Sequence, residues 1–145
     1  MKFFDWIDEQ RNHWFFMLLY YGARYGLGLG FVLSGARKFP DVRFTTLGID
    51  NPVGLFFEAM FQMPIYWNFI GYYQIICGVL MFIPRFKALT PILILPITVN
   101  IFLISVALHM RGTPLITSAM LLGNVYLLFW HYEHYLPLLK KPGTL

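Results

Sequence analysis

Arg24, Gln74, Asn100 and Asn124 are the residues of this sequence with most to offer a ligand. Each stands near the middle of an apolar stretch long enough to cross a bilayer. A guanidinium and three amides supply hydrogen bonds rather than a reaction, and they suit a quinone head group, a small anion or a lipid head group. A polar group in hydrocarbon is costly unless something satisfies it, so four at similar depth predict a shared site inside a helix bundle. Arg24 makes the strongest demand. A guanidinium keeps its charge and must reach water, a carboxylate, backbone carbonyls or a bound anion.

No Asp or Glu lies near mid-depth in the four stretches, and the nearest carboxylate by topology is Glu58, if its segment folds back into the bundle. The bland alternative is structural. Arg24 would then bond Gln74, Asn100 or Asn124, and the amides would act as interhelical glue worth about 0.6 kcal/mol each. Helical phasing puts Gln74 on one face with Trp67, Gly71 and Gly78, and Asn124 on one with Thr117, His131 and Tyr135. His131 and His134 have metal-ligand spacing but no third ligand, so no metal is expected, and anchoring at the interface beside Trp130 and Tyr132 is their ordinary role. With one cysteine, Cys77, an intrachain disulfide and CxxC redox chemistry are excluded.

The elements that must position these residues follow from composition. Of 145 residues, 58% are hydrophobic and 12% charged, whereas soluble domains carry roughly 25% charged residues. Too few charges remain to cover a soluble surface. One domain over residues 1–145 is expected: an all-α membrane protein, a bundle of four transmembrane helices over about 14–35, 65–83, 88–110 and 115–132. Met1 to His13 reads as an interfacial helix. Asn51-Pro52 opens a capped helix of about three turns ending before Pro64, too short to span, which is interfacial or re-entrant between spans one and two. Pro96, mid-way along span three, predicts a kink. Gly22, Gly26, Gly30 and Ser34 recur every fourth residue, and that stripe is the expected packing seam of span one, with Gly28 on the Arg24 face.

With the N-terminus inside, Lys2, Arg11, Arg85, Lys87, Lys140 and Lys141 face Arg37, Lys38, Arg43 and Arg111 across the membrane, six against four. Both termini are therefore expected to be cytoplasmic. The net charge of +4 is accounted for by these flanking cations, and no nucleic-acid partner is expected.

Arg24 with Gly28, then Ser34-Gly35-x-x-Lys38, then Gly71-x-x-Gln74-x-x-x-Gly78 and Pro84-Arg85, resemble the DoxX-like family of small four-helix bacterial membrane proteins. The resemblance runs from about Tyr20 to Trp130 and implies residence in a bacterial cytoplasmic (inner) membrane. It adds Lys38 to the candidate ligand-binding residues. The family takes its name from a subunit of an archaeal thiosulfate:quinone oxidoreductase, which implies a link to quinones or sulfur compounds. Related membrane families include cargo receptors and receptor-assembly factors. Many members have a glutamate where this chain has Gln74, and the departure removes a carboxylate that would have paired with Arg24.

The expected function is thus a binding or accessory subunit with a polar pocket around Arg24, in contact with lipids and other membrane subunits. No catalytic constellation is legible. One alternative is a quinone-coupled oxidoreductase subunit, in which Arg24, Gln74 and Tyr73 hold a quinone carbonyl; the other is a scaffold or assembly factor.

Overall fold

The computed structural model describes residues 2–39 and 42–140; Lys141, one of the cations counted above, lies outside them. The described residues form helices and no strand: α1 (Lys2–Gln10), α2 (Trp14–Ala36), α3 (Pro52–Phe61), α4 (Pro64–Phe82), α5 (Leu89–Ala107), α6 (Thr113–Trp130) and α7 (Tyr132–Leu139), with a 3₁₀ turn at Pro84–Phe86. Four of them, α2, α4, α5 and α6, are long and apolar enough to cross a membrane. The 19 residues of α4 and of α5 rise about 28 Å at 1.5 Å per residue, close to the thickness of a bilayer's hydrocarbon core. Their outward faces carry large apolar side chains such as Leu18, Leu29, Ile65 and Leu122. An integral membrane protein in contact with lipid is the direct reading.

Local signals set the helix ends. The Asn51 side chain accepts a hydrogen bond from the Val53 backbone N–H at 2.9 Å and starts α3. Proline occupies the first turn of α3, α4 and α6, where a missing N–H costs nothing. Gly112, at φ 74°, is the cap of α6 in the left-handed region, and Thr113 is the first helical residue.

The seam between α2 and α4 differs from the expected one. Gly22, Gly26 and Gly30 face outward, and a Cβ on any of them would meet nothing within 4 Å. The close contact runs through Gly28 and Gly35. A Cβ at Gly28 would lie 3.0 Å from the Gly78 carbonyl oxygen, and one at Gly35 2.6 Å from that of Gly71. The reason is register: Gly28 and Gly35 are seven residues apart, as are Gly71 and Gly78, and two heptad-spaced glycine pairs match when antiparallel helices pack side by side. The seam therefore lies on the Arg24 face.

Buried Tyr20, Leu27, Phe31, Cys77, Met81, Ile94 and Leu127 make the core. At the end carrying both terminal helices, Arg11 bonds Asp8 at 2.9 Å, Glu133 at 2.8 Å and the Trp130 carbonyl, while Tyr132 donates to Asp8 at 2.9 Å. These contacts tie α1 to α7. The opposite end carries α3.

Candidate functional site

Lys38 sits two residues beyond α2, in a turn held by Lys38 N–H to the Gly35 carbonyl and Phe39 N–H to the Ala36 carbonyl. Gly71 leaves room for it: a Cβ there would lie 3.2 Å from the Lys38 Cβ. The side chain therefore lies across α4, buried to 5% exposure. Its Nζ donates to Gln74 Oε1 at 2.7 Å and to the Ser34 carbonyl at 3.1 Å. The rings of Trp67 and Phe44 stand 4.9 Å and 5.1 Å from it, within cation–π range. Among the described residues no carboxylate pairs with it. Glu58 is not a partner for Arg24 either; it pairs with Arg43 at 3.3 Å. Burial pulls the Lys38 ammonium down to about 8.

Lys38 also lines a cavity of about 330 Å³, with Phe61, Gln62, Pro64, Trp67 and Asn68. Trp67 is buried, and its indole N–H has no hydrogen-bond partner. An orphan donor of this kind costs about 1–3 kcal/mol unless something accepts from it. The residues that carry a buried cation and an unused donor thus line one space at the α3 end.

Arg24 occupies a different place from the expected mid-membrane pocket. It is half-way along α2, but α2 extends past the end of α4, and the guanidinium meets the last turn of that neighbour: Nε donates to the Met81 carbonyl at 2.6 Å. The last carbonyls of a helix have no donor within it and carry the negative end of its dipole, so a cation belongs there. The Tyr25 ring, stacked on Phe82, covers the guanidinium at 5.4 Å. Nη2 is buried without a partner. Beyond it, Tyr20 OH and His131 Nε2 are 3.0 Å apart. His131 is pushed down to about 4, first by burial and then by the charges of Lys87, His134, Arg11 and Arg24.

Tyr73, Asn100 and Asn124 belong to neither place. All three attach to α5 around Pro96, which has no N–H to offer the Ile92 carbonyl one turn back. The carbonyls on either side of Ile92 accept from neighbouring helices, Pro91 from Asn124 at 2.9 Å and Leu93 from Tyr73 at 2.7 Å. Asn100 is exposed and bonds the Pro96 carbonyl of its own helix at 2.9 Å. The first two bonds tie α4 and α6 to the backbone of α5. Of the six candidates only Lys38 and Gln74 meet, and the quinone grip of Arg24, Gln74 and Tyr73 is not assembled.

Sequence reasoning missed Phe44 and the unused Trp67 donor. Trp67 was legible on the Gln74 face; Phe44 comes from a loop with no periodicity to place it. No family model, curated protein or solved structure matches the chain. Chemistry must therefore carry the functional reading: two N–H donors, one of them charged, border a part-apolar cavity and suit a ligand with acceptor oxygens.

Proposed function

We propose that this chain is an integral-membrane binding or accessory subunit of the DoxX-like type, set in a bacterial inner membrane with both termini cytoplasmic. Its ligand site is the Lys38–Trp67 pocket, with Gln74 holding Lys38, rather than the surroundings of Arg24. One observation carries the reading: a buried ammonium, held only by neutral groups among the described residues, borders a cavity together with an unused indole donor. The six-to-four cation count supports the orientation and puts this pocket on the extracytoplasmic side.

Mass spectrometry of the lipids, quinones and proteins that accompany the chain from a mild detergent tests the reading. Lys38→Gln is expected to lose a small molecule that the parent carries. Retention of every associated molecule would remove the pocket from consideration.

A second reading, an assembly factor, has its own support. The outward stripe of Gly22, Gly26 and Gly30 leaves open space beside α2, into which a helix of another subunit can pack. Gly26→Leu is then expected to release a co-purifying subunit while leaving the bundle folded.

A further inference from the structure

A second space adjoins the Lys38 cavity at Pro64. A groove of about 490 Å³ is lined by Met63, Pro64, Ile65, Tyr66 and Phe69, and Pro64 lines both spaces. Pro64 is the first residue of a membrane-crossing helix, so the first cavity lies at the bilayer interface. The groove lies beside the cavity on α4 and reaches Phe69, about 7.5 Å along the helix from Pro64 at 1.5 Å per residue. Ile65, on the groove, is 89% exposed and faces the lipid side.

We propose that the occupant is a membrane amphiphile with an anionic head group, phosphate or carboxylate. It arrives sideways from the bilayer, the head against Lys38 and Trp67 and the chain across Pro64 in the Met63–Phe69 groove. The inference rests on the preceding reading in placing a ligand at Lys38, and it adds the charge of that ligand, its apolar tail and its route.

Three features favour an anion. The Lys38 ammonium is shielded from water, so an opposite charge beside it is attracted far more strongly than at an exposed site. The Trp67 indole N–H is a donor lacking an acceptor. The first turn of α4 has no side-chain cap at Met63, leaving its positive end open beside the shared Pro64. A soluble anion would account for these but would leave the adjoining groove empty. An amphiphile fills both spaces, its head in the one that Lys38 lines and its chain in the apolar one beside it. Pro64 has no backbone N–H, so a chain crossing it strands no donor there.

The test is binding of defined lipids to the full chain in neutral detergent, read by native mass spectrometry. Phosphatidylglycerol, oleate and phosphatidylcholine with matched chains are compared. Phosphatidylglycerol or oleate should bind at least about tenfold more tightly than phosphatidylcholine, as one charge-assisted contact allows. Which of the two anions binds tighter identifies the head group as phosphate or carboxylate. Lys38→Arg should keep most of the preference and Lys38→Gln should lose it. Ile65→Ser, at an exposed site, should weaken long-chain but not short-chain phosphatidylglycerol several-fold. A photoreactive group at mid-chain should label residues 63–69 in the unmodified protein, so one result does not depend on any variant folding.

Equal binding of phosphatidylcholine would overturn the anionic class. Lys38-dependent binding with labelling elsewhere would overturn the lateral route while leaving a ligand site at Lys38. Undiminished anion binding by Lys38→Gln would overturn both this inference and the function proposed above.

Discussion

At one end of the bundle Arg24 is buried against the backbone of α4, and at the other Lys38 is buried against side chains and borders a cavity. Both are cations without a carboxylate partner among the described residues, yet their surroundings solve the problem differently. Arg24 is paired with a helix end, whose free carbonyls and dipole are as permanent as its own charge. Lys38 meets the last turn of its own helix through the Ser34 carbonyl, and an amide and two aromatic rings complete its surroundings beside a cavity. Both cations meet a helix end, and the one beside open space leaves its charge available to a ligand. The location of a charged residue along its own helix says little until the ends of neighbouring helices are known.

The largest expected effect lies in the seam that seats Lys38 over α4. Gly35→Leu would drive a side chain into the Gly71 carbonyl, backbone that cannot swing aside, and should lower stability in detergent by about 3 kcal/mol or more. Gly26→Leu, on the open stripe, should change it by no more than about 0.5 kcal/mol. Thermal unfolding of the two variants decides the matter, and equal losses would contradict the seam described here.

The next effect breaks the comparison directly. Arg24→Gln removes a charge-assisted bond to the Met81 carbonyl and should cost about 2–3 kcal/mol. Ligand binding by the surviving folded protein should be unchanged. Lys38→Gln should do the opposite, shifting stability by less than about 1 kcal/mol, because burying the ammonium is itself costly. Loss of ligand from the Arg24 variant with full stability would exchange the two assignments.

A smaller effect separates the ends by pH. His131, held at about 4 against an ordinary 6.5, is neutral in the fold. Between pH 6.5 and 4 the unfolded imidazole takes up a proton that the folded one refuses, so stability falls as pH drops through that window. The loss should be on the order of 1–3 kcal/mol. His131→Gln, which can still meet the Tyr20 hydroxyl, should flatten the acid limb of a thermal-stability profile between pH 4 and 6.5. A limb that persists unchanged in the variant would point to other groups.

The four apolar helices, the capped α3 and the short helix α1 were legible because hydropathy and caps are local properties of the chain. The site was legible only in part. Lys38 and Gln74 stood among the candidates, and the Trp67–Gly71–Gln74 face follows from helical period alone. Depth groups Asn100, Asn124 and Tyr73 with them, but depth does not say which backbone carbonyl a side chain meets, and all three bond the backbone of α5. Two small-residue stripes on α2 competed for the seam. The heptad-spaced pair won because α4 carries a matching pair, a relation between helices that no single-helix pattern contains.

A substitution at Gln74 is the sharpest test of how Lys38 is held. Gln74→Glu replaces the amide oxygen 2.7 Å from Nζ with a carboxylate. In the parent, the Lys38 amine releases its proton near pH 8 when folded and near 10.5 when unfolded, so the unfolded chain holds the extra proton in between and stability rises with pH across that window. The rise should amount to on the order of 1–2 kcal/mol. An introduced carboxylate favours the ammonium and should diminish or abolish the rise, while changing stability at pH 7 by only about 1 kcal/mol, since desolvating a second charge offsets the attraction. It would also neutralise the pocket. Binding of phosphatidylglycerol or oleate should then weaken about tenfold even though Lys38 is still present. Thermal scans from pH 7 to 10.5 and the same lipid titration measure both consequences. A variant that binds anionic lipid as the parent does, with the alkaline rise intact, would show that the Lys38 charge does not govern the pocket.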